Sequence, residues 1–354
     1  MSEARRANVV GLGLIGGSVG RALRARGWRV QGTDVDVAQV AAAVRLEVID
    51  EAGLDPGAEV TFVAVPALAV PDAAKHVLET TTGLVTDTAG VKASVVASIT
   101  DRRFLGGHPM AGSEQEGLEG ADGELFEGAV WVLTPTVETT DEVFATVASI
   151  VSSLGAEVVT LTPERHDSLV AVVSHVPHLA AATLMTLADD RAEEHAALLR
   201  LAAGGFRDMT RIAAGHPAIW PDICEDNRAA IVEGLDGLIA GLRSVRDVVD
   251  RTDRDALLAL LTRARAARTN LPTRVARPAD LAEVRIPIPD RPGAAAEVFT
   301  LASELGVNVA DFEVYHSAEG AKGIMILLIE ATASDLFRGG LIARGFRPGV
   351  RRLE

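Results

Sequence analysis

One cysteine, Cys224, stands alone in 354 residues, so the chain can close no disulfide within itself and offers no cysteine-based zinc site. Basic residues are also scarce: 34 Lys and Arg against 49 Asp and Glu leave a formal charge of −15. A chain this acidic repels a phosphate backbone, and its main Arg-rich run, 263–277, is diluted by Ala and Leu like a solvated helix face. Nucleic acid is therefore not an expected partner. A clean apolar run of membrane length is missing too. The longest apolar window, 169–188, is interrupted by Ser174, His175, Pro177 and His178 and reads as a soluble core helix, so no membrane is expected. The opening MSEARRANVV turns to glycine too soon for a signal peptide, which makes the expected location cytoplasmic. The 33 Gly and 15 Pro follow no G-X-Y period, and collagen is excluded.

What the chain has is 48% hydrophobic residues, enough to build cores, in three regions of different pattern. In residues 1–163, strand-like runs at 7–11, 28–33, 59–65, 84–87, 104–107 and 129–134 alternate with helical stretches. This predicts parallel βαβ units in a doubly wound, Rossmann-type α/β sheet. Residues 164–272 lose the strand signal and read as an all-α domain. Within it Ile231, Leu235, Leu238, Leu242, Val245 and Val249 are spaced 4, 3, 4, 3, 4, an apolar stripe along one side of a long helix. The stripe fits an internal bundle seam or a subunit interface. The segment 271–278, with two prolines and no period, reads as a linker. Residues 280–354 then follow the order βαββαβ, a small ferredoxin-like domain.

The first strand runs into Gly11-Leu12-Gly13-Leu14-Ile15-Gly16, a G-x-G-x-x-G turn into a helix. Gly11 permits the turn, Gly13 admits a pyrophosphate to the backbone, and Gly16 lets the helix pack on the sheet. The helix N-terminus faces the phosphates. The second strand ends at Asp34, 18 residues after Gly16, where an acidic side chain would take the adenine ribose hydroxyls and repel a 2′-phosphate. The expected cofactor is thus NAD rather than NADP, held by Gly11, Gly13, Leu14, Ile15, Gly16, Asp34 and Pro66.

Beyond the fifth strand candidate lies GGHPMAGSE, which places His108 in the crevice at the carboxyl end of the sheet. A packed or capping histidine is the plainer alternative. At about 100° per residue, Ser174 and His178 fall within about 20° of Asp167 on one helix stripe, with His175 about 80° away. Such a stripe is either a buried hydrogen-bond network or a pocket wall. Pro177 cannot donate its backbone bond, so the helix can kink there. The histidine spacing lacks an obvious third ligand, and no metal is expected. Arg207 and Arg211 are candidates to grip a carboxylate, although Arg207 suits a surface ion pair better. Cys224 reads as a small buried hydrophobe.

Together GLGLIGGS, D-T-A-G-V-K at 87–92, GGHPMAGSE, HDSLVAVVSHVPH at 166–178, GFRDMTRIA and WPDICEDN resemble the prephenate dehydrogenase family, in that family's order from residue 7 to about 228. IPDRPGAAAEVF and GVNV resemble an ACT regulatory domain. The resemblance implies NAD-dependent oxidative decarboxylation of prephenate to 4-hydroxyphenylpyruvate in tyrosine biosynthesis. It implies His108 as the catalytic histidine and Arg211 as the carboxylate clamp. It also implies His178, Trp220, Ser113 and Glu114 as substrate-pocket residues. A homodimer is expected, and tyrosine is the expected effector, bound near Asp290, Gly293 and Asn308. One departure stands out. The family often carries serine where this chain has Gly90, so a water or Ser113 would have to take that hydroxyl's place. The alternatives are arogenate dehydrogenase, acting on the amino-acid analogue, and a non-catalytic amino-acid sensor.

Overall fold

The computed structural model describes residues 4–112, 115, 117–192, 202, 204–215, 217–269, 281–289, 291–316 and 322–352. The chain forms two compact units, Met1–Ser244 and Val245–Glu354. The first is built on an eight-stranded sheet of β1 (Arg6–Val10), β2 (Arg29–Thr33), β3 (Glu51–Ala52), β4 (Val60–Val63), β5 (Leu84–Asp87), β6 (Phe104–Pro109), β7 (Val130–Thr134) and β8 (Glu157–Thr160). Its order is β3-β2-β1-β4-β5-β6-β7-β8. The chain winds outward from β1 to β3, then crosses back to lay β4 on the other side of β1. That reversal opens a crevice at the carboxyl ends of β1 and β4, where doubly wound sheets bind their ligands.

The strands are what their residues dictate. β4 is buried at all four positions, as a parallel strand covered on both faces must be. One face packs Phe62, Phe126 and Trp131, with Trp131 5.0 Å from Phe126 and 6.0 Å from Phe62 between ring centres. The other packs Val63 and Val85 against Val70, Ala74 and Val77 of α3 (Val70–Thr80). α1 (Leu14–Ala25) buries Val19, Ala22 and Leu23 in the core, while its glycines let neighbouring segments close in, Gly17 against Leu118 and Ala121 and Gly20 against Val48. Side-chain caps start two of the helices, with Asp36 accepting the Ala38 N–H at α2 (Val37–Arg45) and Thr140 that of Val143 at α5 (Asp141–Ser153), whereas α3 and α4 (Ala93–Ala97) start without one.

The sheet departs from the expected parallel pattern at one place. β6 and β7 are antiparallel, while β7 and β8 are parallel again. A parallel neighbour requires a crossover, usually helical, and the described residues between Pro109 and Val130 form only turns. β8 and the two-residue β3 carry too few apolar positions to announce themselves in the sequence.

The helical part of this unit begins with α6 (Pro163–Val170), capped by Thr162, which accepts the Arg165 N–H. A π turn, Ala171–His175, leads into α7 (Val176–Ala192). The run Pro163–Arg191 has the length and composition to cross a membrane. Yet it buries His166, Asp167 and His175 while exposing Val172, Val173 and Leu187, so it is docked by one face rather than fully buried as a core helix. α8 (Gly204–Thr210), α9 (Trp220–Asp226) and α10 (Arg228–Asp250) follow. Along α10 Ile231 is buried, Leu235, Leu238 and Val245 are half-buried, and Leu242 and Val249 are exposed. Among the described residues the stripe is therefore only partly covered. Cys224 is half-buried, not buried as its composition suggested.

The second unit holds α11 (Arg254–Thr269), whose arginines form a solvated face, and a four-stranded antiparallel sheet. Its strands are β9 (Leu281–Pro289), β10 (Val309–His316), β11 (Lys322–Glu330) and β12 (Gly349–Arg352), in the order β10-β11-β9-β12. Helices α12 (Ala294–Glu304) and α13 (Ser334–Ala343) supply Val298, Leu301, Phe337 and Leu341 to a core with Val284, Ile286 and Leu327. The last strand starts three residues later than the run near 346–350 suggests. Phe346 packs against the core from the preceding turn. The linker read at 271–278 lies outside the described residues.

Candidate active site

The glycine loop leaves β1 with Gly11 at φ +88°, in the left-handed region that favours glycine. A Cβ there would meet Ala64 O at 2.4 Å, and one at Gly16 would meet Gly11 O at 1.8 Å. Gly13 is different: nothing lies within 4 Å of its Cβ position, so its open side can admit a phosphate. Leu14 and Ile15 form the first turn of α1, and Pro66 follows β4 on the exposed rim. Asp34 stands just past β2. Its Oδ2 accepts the Leu12 N–H at 2.7 Å and its Oδ1 accepts the Asp36 N–H at 3.0 Å. Each oxygen keeps a further lone pair, so the carboxylate can both brace the loop and take ribose hydroxyls. The loop, the helix N-terminus and Asp34 fit a dinucleotide.

On the far side of β4 lies a buried ion pair. Lys92 and Asp87 are both inaccessible to solvent, and the Lys92 ammonium donates to Asp87 Oδ2 and, at 2.8 Å, to the carbonyl of Gly107. Asp87 Oδ1 in turn accepts the Gly107 N–H at 3.1 Å. Burial pushes the Lys92 ammonium below its ordinary value, opposed by the neighbouring Asp87 charge. The pair fixes the backbone on both sides of Gly107. A side chain at Gly107 would strike Asp87 O, Thr86 Oγ1 and Trp131 Nε1, all within about 3.0 Å. The next residue is His108.

His108 sits near the carboxyl end of β6. Since β1, β4, β5 and β6 run parallel, this is the same edge of the sheet on which the glycine loop turns. Its Nδ1 lies 2.8 Å from Nε2 of His166, and Nδ1 of His166 lies 2.8 Å from Oδ1 of Asp167. The two rings meet edge to face at 5.0 Å. Asp167 is anchored as well: Oδ1 accepts the Lys92 N–H and Oδ2 the Ala93 N–H, each at 2.8 Å. The opposite edge of His108 looks toward Gly90, whose Cβ position lies 3.8 Å from Nε2. The space where the family often has a serine hydroxyl is therefore beside that nitrogen. Burial above all, with the nearby Lys92 charge, holds the His108 imidazole well below its ordinary value, so it is neutral at pH 7.

The π turn rearranges the helix stripe read from the sequence. It absorbs one residue, which brings His175 rather than Ser174 back to about 20° from the line of Asp167. Pro177, which has no N–H to give the i−4 carbonyl, follows directly. His175 is accordingly buried, and Asn227 donates to the Asp167 carbonyl at 2.9 Å and lies 3.2 Å from His175 Nδ1. His178, now off the stripe, stacks on Trp220 with ring centres 3.6 Å apart and planes 14° from parallel. Burial lowers the basicity of both His175 and His178. Gly215 backs the His178 ring, its Cβ position 3.6 Å from Cε1. Arg211 is exposed on the short 3₁₀ turn Arg211–Ala214, four residues before Gly215.

The structure thus pairs His178 with Trp220 and puts Arg211 on the turn leading to the glycine against them. Ser113, Glu114 and Asp290 lie outside the described residues. Lys92, Asp87, His166 and Asn227 stand within the motifs, yet sequence reasoning assigned them no role. Asp87 and Lys92 had a signal, as polar residues bordering apolar runs, whereas His166 and Asn227 lie among other polar residues and had none.

Comparisons with known proteins match this architecture. Residues 19–160 match the family model described as prephenate dehydrogenase, nucleotide-binding domain, and residues 162–263 match prephenate dehydrogenase, dimerization domain. The chain is 32% identical over 336 residues to the prephenate dehydrogenase of Bacillus subtilis, covering 90% of each. Its fold is similar to the Aquifex aeolicus prephenate dehydrogenase crystallised with hydroxyphenyl propionate and NAD+, at a TM-score of 0.71 and 29% identity, over 76% of this chain and 99% of that one. It is also similar to the arogenate dehydrogenase of Synechocystis, at 0.65 and 30%, over 74% and 98%. With both halves of the family's architecture matched in sequence order over more than half its length, the chain belongs to the prephenate dehydrogenase family.

Proposed function

We propose that this chain oxidises prephenate with NAD+, releasing CO₂ and 4-hydroxyphenylpyruvate, with His108 as the base. The observation that carries the reading is His108 itself, neutral, tethered through Nδ1 and with Nε2 facing Gly90 on the ligand-binding edge of the sheet. Bound NAD+ supplies the hydride acceptor. His108 Nε2 takes the ring hydroxyl proton as hydride leaves the same carbon, and the ring carboxylate departs as CO₂, its bonding pair completing the aromatic ring. Arg211 holds a substrate carboxylate; His178 and Trp220 form a flat wall for the ring, and Ser113 and Glu114 close the pocket. Gly11, Gly13, Leu14, Ile15, Gly16, Asp34 and Pro66 hold the cofactor.

A second reading is arogenate dehydrogenase, favoured by the nearly equal similarity to the Synechocystis enzyme. NADH formation measured in parallel with prephenate and arogenate decides between them. Activity with neither would leave the sensor reading.

The enzyme works as a cytoplasmic homodimer. Support comes from the exposed apolar residues of α10 and from the match of 162–263 to a dimerization domain. The C-terminal unit is a ferredoxin-like ACT domain that binds tyrosine. The βαββαβ order and the arrangement β10-β11-β9-β12 support this. Gly293, at φ +88° before α12, and the exposed Asn308 stand at the expected effector positions.

His108→Asn is expected to bind NAD+ normally and lose about 10²–10⁴-fold in kcat. In the wild-type enzyme a base held below its ordinary value stays neutral on acidification, so kcat/KM with prephenate should hold through pH 6.5 and fall only below it. A pH–rate profile with its acid limb above 6.5 contradicts the assignment. Arg211→Ala should raise KM for prephenate, by about 2–5 kcal/mol of binding if the carboxylate is left unpaired; steady-state kinetics checks it. Asp34→Ala should narrow the preference for NAD+ over NADP+, read as the ratio of kcat/KM values. Sedimentation at micromolar concentration should give twice 37.0 kDa, and millimolar tyrosine should inhibit that dimer. A fully active monomer, or an enzyme indifferent to tyrosine, removes the corresponding claim.

A further inference from the structure

His166 is wholly buried, so it cannot touch substrate, yet it lies directly between His108 and Asp167. On the carboxylate, two backbone N–H groups and one ring nitrogen converge at 2.8 Å. Asp167 can only accept, and the ring nitrogen facing it must carry hydrogen. A neutral His166 with its proton on Nδ1 has a bare lone pair on Nε2. That lone pair sits 2.8 Å from Nδ1 of His108 and calls for a hydrogen there. A neutral His108 protonated at Nδ1 is bare at Nε2, the atom beside Gly90. The opposite arrangement, with hydrogen on Nε2 of His108, needs either two lone pairs facing each other at one of these short contacts or a doubly protonated His166, and in both cases it removes the lone pair that a base at Nε2 must offer.

We propose that His166 and Asp167 are positioning residues that fix the tautomer of His108, with the hydrogen on Nδ1 and Nε2 left as the proton acceptor. In the family's usual pattern a serine hydroxyl stands next to Nε2; with Gly90 in its place that position offers no side chain to dictate the tautomer. The relay behind the ring takes on that task. When Nε2 takes the substrate hydroxyl proton, the Nδ1–H bond to His166 stays in place, and the new positive charge faces a chain that ends on a carboxylate. The proposal rests on His108 being the base of the reaction above.

The test combines kinetics with a direct view of the ring. Nitrogen-15 spectra of the full-length, histidine-labelled protein at neutral pH, with the His108 signals assigned by H108N, should show hydrogen on Nδ1 and a bare Nε2. H166L should give a mixture of the two tautomers and a kcat for prephenate about 10²-fold lower, with KM values for prephenate and NAD+ within about two-fold of wild type. H166Q, whose amide oxygen can accept from His108 Nδ1, should recover most of the lost kcat. A wild-type His108 protonated on Nε2 overturns the proposal. So does an H166L enzyme with unchanged kcat, or one whose loss H166Q fails to relieve. Should the wild-type protein turn over neither prephenate nor arogenate, the reaction assignment fails, and the ring spectra still decide the tautomer.

Discussion

The carboxylate of Asp167 is the junction on which the site depends. It belongs to α6, the first helix after the nucleotide-binding sheet, but its oxygens are held by the backbone of Lys92 and Ala93 from the sheet's own βα connection. Bonds from two adjacent backbone N–H groups to one buried carboxylate fix the rotation and the depth at which α6 meets the sheet. His166 is thereby presented to His108, and Asn227 ties the start of α10 to the same place through the Asp167 carbonyl. A shift of α6 by even one ångström would break the His108–His166 contact, since a hydrogen bond does not survive at 3.8 Å.

The buried Lys92–Asp87 pair answers a related need at the other end of His108. Ion pairs in a dry interior contribute little net stability, because desolvating both charges offsets their attraction. What this pair contributes is geometry. Its two members hold the carbonyl and the N–H of Gly107 from opposite sides, so the backbone entering His108 has no freedom to rotate. The lysine also places a buried positive charge near the imidazole, which discourages a second proton on it. Removing one partner would leave an uncompensated charge in the core of the sheet, a costlier change than replacing both.

How much of this could be read from the residues follows physical lines. The glycine loop, Asp34 and the long helix of α10 were legible because they rest on local rules: backbone freedom at Gly11, a fixed offset from strand to acid, and an unbroken apolar period. The antiparallel β7 was not, because strand direction depends on whether a crossover intervenes, and 110–129 has no period that reveals its path. The exchange of Ser174 for His175 on the inner face was hidden for a different reason. Helical-wheel reasoning assumes one angle per residue, and the π turn at Ala171–His175 breaks that assumption just before Pro177. A proline after a run of polar and β-branched residues warned of a kink without saying in which direction the wheel would slip. His166 was overlooked because its neighbour in the site, His108, lies 58 positions away.

The site also has to reconcile a weak base with a hard proton transfer. Burial and nearby positive charge keep His108 uncharged, which makes it available but lowers its proton affinity. General bases work best when their affinity matches the working pH, so a strongly depressed histidine carries a penalty in driving force. Two features of the proposed reaction offset it. Hydride departure makes the hydroxyl steadily more acidic as the transition state develops, so the proton leaves a far better donor than the ground-state alcohol. Loss of CO₂ with formation of an aromatic ring then draws the step forward. The relay to Asp167 contributes orientation: buried Asp167 behind buried His166 is placed to hold the imidazole with Nε2 toward the hydroxyl, so that little reorganisation precedes the transfer.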